Sequence, residues 1–179
     1  MAFNINQFRG ALTGDGARPN LFEVRMNFPS YAGAAAGNIG RFMIKTAQLP
    51  GSTVGMAPVN YFGREVKVAG NRTFADWTVT VINDENFTLR RAFESWMRGI
   101  NDNVSNLRTA AAQGSGSANS YAKDANVVQY AKNGTRIKEY KFVGVFPTDV
   151  TPIDLDWGSN DTIEEFSVTL AIQYWDVVL

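Results

Sequence analysis

The chain contains neither cysteine nor histidine among its 179 residues. Without cysteine it forms no disulfide and offers no thiolate for nucleophilic attack or metal binding. Without histidine it lacks the commonest general base and the commonest transition-metal ligand of proteins. Because the usual catalytic triads need one or both, we expect no enzyme activity, no metal site and no cofactor.

Long apolar runs and net charge are also missing. No apolar segment approaches the roughly 20 residues that span a bilayer, and the opening MAFNINQFRG lacks the apolar segment of a secretory signal. Seventeen Lys and Arg balance 17 Asp and Glu, so no overall field attracts the chain to nucleic acid or to a membrane. The length suffices for a hydrophobic core, and we expect a single domain over residues 1–179.

The most informative segment runs from Val68 to Glu85. Its middle alternates, which predicts a strand with one buried face. Asn83 and the acids after it are typical of a helix start, so we predict an amphipathic helix over about residues 84–98. The residues predicted for the core from this segment, the helix and the last strand are Trp77, Val79, Val81, Phe93, Trp96, Phe166, Val168 and Leu170.

Alternation of apolar and polar residues predicts further strands. They cover residues 20–28, 41–47, 60–68, 127–131, 135–146, 153–157 and 162–175. About eight strands with one wet face and a single convincing helix predict a mainly β protein, a sandwich or small barrel of antiparallel sheets with one flanking helix.

Four segments lack strand or helix periodicity. Residues 1–19 are interpreted as a mobile or partner-dependent arm, and the Gly-rich segments 30–40 and 101–125 as loops. The fourth segment, residues 49–63, is too long for an ordinary hairpin turn. Because it carries apolar side chains, including Leu49, Val54, Met56 and Val59, we expect it to dock on a partner.

Paired acids are the chemistry that remains without histidine or cysteine. Asp154 and Asp156 lie two residues apart on a predicted strand, and with Glu165 they occupy positions one, three and twelve of a calcium-loop spacing. However, Ser159 stands where that loop requires glycine, and strands rather than helices flank the segment. We therefore interpret these acids as a solvated face.

Basic residues cluster near aromatic residues between positions 130 and 142. The cluster consists of Lys132, Arg136, Lys138 and Lys141, with Tyr130, Tyr140 and Phe142 between them. Such a pattern can bind single-stranded nucleic acid, but a strand with one charged face explains it better because the domain is not basic overall.

The distribution of charge along the chain is more informative than the net charge. From Asp149 to the end the chain has seven acids and no Lys or Arg, whereas residues 123–141 carry five bases and two acids. Segregated charge favours a head-to-tail assembly of identical copies, although incidental clustering explains it nearly as well.

Several segments, spread in order over most of the chain, resemble the tail tube proteins of contractile-tailed, T-even-like bacteriophages. They are ARPNLF at residues 17–22, KTAQLP at 45–50, the run 66–84 with the helix containing Trp96, VVQYA at 127–131, VGVFPTD at 143–149, and 155–157 through Tyr174 and Trp175. Residues 30–40 and 101–123 depart from the pattern.

The resemblance implies hexameric rings that stack into the inner tube of a contractile tail, through which DNA leaves. It implies that Glu165, Ser167, Thr169, Ala171 and Gln173 face the lumen, where small or acidic side chains would not hold a phosphate backbone. It also implies that one arm contacts the adjacent ring. The residues expected in this arm are Leu49, Pro50, Val54, Met56, Val59 and Phe62.

The partners implied by the resemblance are further copies of the chain, the tail sheath protein, the baseplate tube initiator, the tail terminator, the tape measure protein and genomic DNA. The location implied is the virion tail, with the host cytoplasm during assembly. Two alternatives stay open: the tube of a type VI secretion or phage-derived injection system, and a monomeric β domain that binds carbohydrate or single-stranded nucleic acid.

Overall fold

The computed structural model describes residues 4–33, 35–109, 112 and 121–179. The described residues form nine strands, three α-helices and two short 3₁₀ turns at 13–15 and 30–32. The strands are β1 Phe22–Met26, β2 Ile44–Ala47, β3 Ser52–Tyr61, β4 Arg64–Phe74, β5 Trp77–Ile82, β6 Lys123–Tyr130, β7 Arg136–Val150, β8 Glu165–Ala171 and β9 Tyr174–Val177. The helices are α1 Ile5–Ala11, α2 Ala36–Met43 and α3 Thr88–Ile100.

Seven strands form one antiparallel sheet in the order β1-β6-β7-β8-β5-β2, with β9 also paired to β7. The long strand β7 joins the two halves of this sheet, because its first part pairs with β6 and β9 and its last part with β8. Between the two parts, Gly144 adopts a φ of +69°, a conformation that suits glycine. The predicted mainly β class with antiparallel sheets is confirmed.

Aromatic stacking holds the two halves of the sheet together. Trp77 on β5 is buried and stacks on Phe142 of β7, with ring centroids 4.5 Å apart and planes 9° apart. Helix α3 covers the same core. The ring centroid of Phe28 lies 5.1 Å from that of Phe93 and 5.4 Å from that of Trp96. All the predicted core residues are buried, namely Trp77, Val79, Val81, Phe93, Trp96, Phe166, Val168 and Leu170.

Helix α3 begins later than predicted, and Asn83 is not its cap. The carboxylate of Asp84 accepts hydrogen bonds from the Thr88 backbone N–H at 2.8 Å and from the Thr88 hydroxyl at 2.7 Å. Asn83 is instead held by Glu164, the residue before β8, since its backbone N–H donates to the Glu164 carbonyl and its side chain donates to the Glu164 carboxylate, both at 2.9 Å. The contact with Glu164 therefore fixes Asn83, the residue that the local sequence had assigned to the start of the helix.

The prediction of a single helix was wrong. Segment 30–40 was interpreted as a loop because of its glycines, yet most of α2 lies there, and 41–43 are helical rather than part of β2. A Cβ atom at Gly37 would lie 2.5 Å from the Met26 carbonyl oxygen. Here glycine permits the close approach of a helix to β1, a purpose that a single sequence does not distinguish from a turn.

The N-terminal arm also contains a helix, α1, in which no residue is buried. The Asn4 side chain caps it by accepting the Asn6 N–H at 3.0 Å. Whether the arm depends on a partner stays a prediction.

Three strand predictions need correction. Residues 49–59 are not a long loop between strands 41–47 and 60–68, because β3 and β4 pair with each other, apart from a bulge between Val54 and Met56, and turn at Phe62 and Gly63. Residues 153–157 form no strand and are largely exposed. The predicted strand 162–175 is divided at residues 172–173 into β8 and β9. The predicted loop 101–125 ends at β6, and its residues 110–111 and 113–120 lie outside the described residues.

Glu23 on β1 is the centre of a partly buried polar cluster. Arg25 donates to both of its carboxylate oxygens at 2.9 and 3.1 Å, and Tyr130 and Arg41 also donate to it. The hydrogen bonds from Arg25, and then from Tyr130 and Arg41, lower the pKa of Glu23 from 4.5 to about 2, although partial burial opposes the shift. The cluster ties β1 to β6 and α2.

We expect Glu23→Gln to remove a pH-dependent part of the stability. The carboxylate stabilises the fold fully above about pH 4.5, and this contribution is lost as the pH falls through about 2, because the folded pKa is the lower one. The free energy of unfolding, measured by urea denaturation of dilute protein, should fall by on the order of 1–2 kcal/mol at neutral pH. The difference in unfolding free energy between the variant and the unaltered protein should disappear toward pH 2, and a difference of constant size would contradict this account.

We expect Gly99→Ala to destabilise the protein although alanine favours helices. A Cβ atom at Gly99 in α3 would lie 2.2 Å from Cε2 of Tyr31, and displacing this packed ring should cost about 1–3 kcal/mol. Gly40→Ala in α2 is the matched control, because its Cβ meets the nearest side-chain atom at 3.8 Å and the change should be neutral or stabilising. Thermal unfolding of both variants measures this, and equal effects would refute it.

Candidate assembly interface

The hairpin of β3 and β4 extends away from the rest of the protein. Every residue of β3 is exposed, as is every residue of β4 except Phe74. Its base is anchored by Arg72, whose guanidinium lies 4.7 Å from the Phe74 ring centroid and 5.2 Å from that of Trp175. Beyond this base the two strands pair only with each other. A two-stranded ribbon of this kind is marginal by itself in water.

Large apolar side chains are exposed along the hairpin. The turn residue Phe62 is 91% exposed and Met56 is 67% exposed. The other large exposed apolar residues of the hairpin are Val54, Val59, Tyr61, Val66 and Val68. Of the arm residues predicted from sequence, Val54, Met56, Val59 and Phe62 therefore lie on the hairpin, while Leu49 and Pro50 precede it. An exposed apolar surface of this size marks an interaction site.

A second surface is polar and consists of small side chains. On β8, Ser167, Thr169 and Ala171 alternate with the buried Phe166, Val168 and Leu170, so they lie on the face away from the core. The neighbouring strand continues this surface, because the Thr80 hydroxyl lies 3.3 Å from that of Ser167 and Thr78 is paired with Thr169.

The two ends of the predicted lumen set lie in different surroundings. Glu165 forms an ion pair with Lys45 of β2 at 2.6 Å. Gln173 follows β8 and packs against Gly144, at which a Cβ would come within 2.6 Å of the Gln173 side chain. The structure therefore brings Glu165, Ser167, Thr169 and Ala171 onto one strand and places Gln173 at its end.

Strands β1 and β2 stand at the two ends of the seven-strand order, with no further strand beyond either in the described ranges. Unpaired edges of this kind expose backbone donors and acceptors that a neighbouring chain can satisfy. Both edges are short, with five and four residues.

The acids considered for calcium are not arranged as a metal site in the described part of the chain. Glu165 pairs with Lys45, and Asp156 accepts a hydrogen bond from the Gly158 N–H at 3.0 Å within a turn. Among the residues that the structure describes, no group of three or more acidic side chains is placed to hold a metal ion. In the same part of the chain, no helix is both long and apolar enough to span a membrane.

The basic cluster does not form an aromatic platform for nucleic acid. Phe142 is buried beneath Trp77, and the Tyr130 hydroxyl donates to Glu23. Lys141 pairs with Asp124 at 3.0 Å. Base stacking requires exposed aromatic faces, so this arrangement does not favour the nucleic-acid alternative.

Known proteins are similar to this chain over most of its length. The family described as phage tail tube protein matches residues 17–178. The tail tube protein gp19 of Enterobacteria phage T4 is 40% identical over 169 residues, which cover 92% of this chain and 93% of that protein. The chain belongs to the phage tail tube protein family. Its role is that of a structural tail tube protein, and its place is the virion tail.

More distant proteins are also similar to this tail tube protein. The tail tube protein of Serratia phage KSP90 is 27% identical over 97% of this chain and 96% of that protein. A solved structure of the anti-feeding prophage tube-terminating cap has a TM-score of 0.63 at 15% identity, covering 90% of this chain and 89% of that one. A chain of an extracellular contractile injection system, solved in a sheath-tube complex, has a TM-score of 0.58 at 15% identity, with 98% of each chain covered.

The sequence reasoning missed several exposed residues of this tail tube protein. Tyr61, Val66 and Val68 belong to the same exposed hairpin as the predicted arm residues. Trp157, predicted to lie on a strand, is instead entirely exposed in the loop after β7. The position of Trp157 between acids in a segment that also contains glycine and asparagine was the available signal for a loop.

Proposed function

We propose that copies of this chain form hexameric rings that stack into the inner tube of a contractile phage tail, and that DNA leaves through the bore. The single observation that carries the proposal is the membership of nearly the whole chain in the tail tube family. The exposed apolar hairpin supports it, because a self-contained monomer would gain nothing from a ribbon that its own body does not cover.

The edges of the seven-stranded sheet account for growth within a ring. Joining β1 or β2 to the sheet of a neighbouring copy would satisfy backbone groups that are unpaired in the described copy. Closing such joints around an axis produces an inner barrel without free edges. The hairpin reaches beyond the body of its own copy, so we assign its apolar residues to contact with the adjacent ring.

The small polar face of β8 is assigned to the lumen. Ser167, Thr169 and Ala171 carry no charge, and the charge of Glu165 is partly balanced by Lys45. DNA binds proteins mainly through cations that neutralise its phosphates. A wall of hydroxyl and methyl groups would therefore let the duplex slide. Gln173, which follows the end of β8, is assigned to the edge of this face.

Further partners follow from the same function. The outer surface of the tube would contact the sheath protein, and its ends the baseplate tube initiator and the tail terminator. The tape measure protein would occupy the bore before DNA, which is contacted without sequence preference. Assembly would take place in the host cytoplasm. A structural role requires no enzyme activity and no cofactor.

Electron microscopy of concentrated protein tests the function. We expect negative-stain images to show six-fold rings or tubes, and immunogold labelling to mark the tails of virions. Dispersed monomers at high concentration would overturn the proposal in favour of a monomeric binding domain. Tubes without any label on virion tails would instead indicate a phage-derived injection device or a type VI secretion system.

Replacing Val54, Met56, Val59 and Phe62 by serine tests the hairpin. Because all four side chains are exposed, circular dichroism should be unchanged, whereas tube yield should fall about tenfold or more as buried apolar contacts between rings are lost. The matched control replaces Val104 and Leu107, which are 95% and 67% exposed, by serine. Tube yield and length like those of the unaltered protein would refute the role of the hairpin.

Thr169→Lys combined with Ala171→Lys tests the lumen. We expect tubes to form but DNA ejection to slow, because six copies per ring would line the bore with cations, and added salt should relieve the effect. Glutamine at both positions is the control for side-chain size. Ejection kinetics measured on virions decide the matter, and equal rates for the lysine and glutamine variants would exclude these residues from the lumen.

A further inference from the structure

The exposed hairpin of β3 and β4 has two different faces. Residues directly opposite each other in an antiparallel pair lie on one side of the ribbon, and neighbours along a strand lie on opposite sides. One side, which we name the apolar face, consists of Ala57 with Val68, Val59 with Val66, and Tyr61 with Arg64. The opposite side carries Pro58 with Lys67, and Asn60 with Glu65. The apolar face is thus a stripe of large apolar side chains with Arg64 near the turn.

No described part of the same copy covers the apolar face. All of its residues are exposed, and at the turn the ring of Tyr61 rests against that of Phe62, with centroids 4.6 Å apart. The ion pairs found among the described residues do not include Arg64. An apolar stripe that ends in such a cation is suited to a partner that offers both apolar surface and acid.

The segment between β7 and β8, residues 151–164, offers both, and we name it the β7–β8 loop. It contains four acids and no Lys or Arg. Trp157 is 100% exposed, and Leu155 and Ile163 are also largely exposed. Tryptophan has a large apolar surface and is enriched at interfaces between proteins, so its complete exposure points to a missing partner.

The β7–β8 loop also encloses a cavity of about 410 Å³, which we name the acidic cup. Its lining includes Asp154, Leu155, Asp156, Ile163, Glu164 and Glu165. Glu165 already pairs with Lys45 at 2.6 Å. The ion pairs found among the described residues do not include Asp154 or Asp156. The cup therefore combines apolar walls with two carboxylates that can receive a cation.

The hairpin and the β7–β8 loop lie at opposite ends of the ladder that β5 forms with β8. The hairpin ends at Phe74, and β5 begins at Trp77, opposite Leu170. At the other end of the ladder, Ile82 stands opposite Glu165, which directly follows the loop. The six residues of β5 extend over roughly 20 Å. Complementary surfaces at the two ends of one copy favour a head-to-tail contact, which can repeat from copy to copy.

Charge distinguishes this contact from the other pairings of identical copies. Two apolar faces packed together would leave Arg64 without an acid, because the face itself carries none. Two β7–β8 loops packed together would bring acids against acids, which repel where water is excluded. Contact between an apolar face and a loop instead covers apolar side chains on both copies and gives Arg64 a carboxylate.

We propose that the apolar face of the hairpin docks on the β7–β8 loop of a second copy of this chain in the adjacent ring. Trp157 of the loop packs along Val59 and Val66 of the hairpin. Arg64 enters the acidic cup between Asp154 and Asp156, so that opposite charges fix the orientation of the contact. The inference rests on the proposed tube and names the surface that receives the hairpin.

The absence of cysteine makes a direct test possible. Val66→Cys places a thiol on the apolar face, and Leu155→Cys or Ser159→Cys places one beside Trp157. Under mild oxidation of the assembled protein, Val66→Cys combined with one of the loop cysteines should form a ladder of covalent multimers larger than hexamers on a denaturing gel. Lys67→Cys, on the opposite side of the hairpin, is the matched control and should form several-fold less. Chains with a single cysteine should form dimers at most.

The outcomes separate this inference from the proposed function. Tubes that form no ladder with either loop cysteine would overturn the docking contact and leave the tube function standing. A ladder that ends at the hexamer would overturn the assignment of the contact to adjacent rings. A ladder without tubes would support the contact and count against the tube, and if neither forms, both are wrong. Normal tubes but incomplete tails in a Trp157→Ala variant would show that another virion protein covers the loop, which also overturns the proposal.

A charge exchange provides an independent test. Arg64→Glu reverses the charge of the apolar face, and Asp154→Lys reverses one charge of the acidic cup. Each change alone should raise the protein concentration needed for assembly about tenfold. A chain with both changes should regain most of the loss, because opposite charges again meet. Lys67→Glu, the same change of charge on the opposite side of the hairpin, is the control and should assemble like the unaltered protein. Failure of the double variant to improve on the single ones, or an equal effect of Lys67→Glu, would overturn the contact.

Discussion

The packing of Trp77 on Phe142 is the contact on which the rest of the structure depends. It joins β5 to the opposite half of the sheet through two buried rings 4.5 Å apart. Strand β7 supplies the covalent link between the halves, and its bend at Gly144 turns one long strand toward two sets of neighbours. With the core closed on one face of β8, the small polar residues of that strand are left on the other face. The assignment of a lumen face begins from this packing.

Outside the core, several surfaces of the chain are not covered by any other part of the same copy. The hairpin pairs with itself and exposes large apolar residues, α1 buries nothing, and Trp157 lies wholly in water. In a self-contained protein such surfaces would favour aggregation. In a tube protein such surfaces are suited to contact with neighbouring copies, and charges separated along the chain would favour some contacts over others.

The alternation of Trp77, Val79 and Val81 predicted a buried strand because one face of β5 meets the core, which requires a period of two. The β3 half of the hairpin was missed for the opposite reason: with both faces in solvent, its sequence carries no such pattern, whereas the alternation in residues 60–68 did predict part of β4. Helix α2 was missed because Gly37 and Gly40 were interpreted as loop residues, whereas the close approach of the helix to Met26 requires a small residue. The later start of α3 reflects the pairing of Asn83 with Glu164, a residue 81 positions away.

The sequence by itself determined the mainly β class, the core residues, the absence of thiol and imidazole chemistry, and the segregation of charge, because each depends on composition or on periodicity along the chain. Only the tertiary structure decided that β7 serves both halves of the sheet, that the hairpin stands free, and that Glu23 accepts hydrogen bonds from three side chains. These features depend on contacts between distant residues, and such contacts leave no periodic trace in a single sequence.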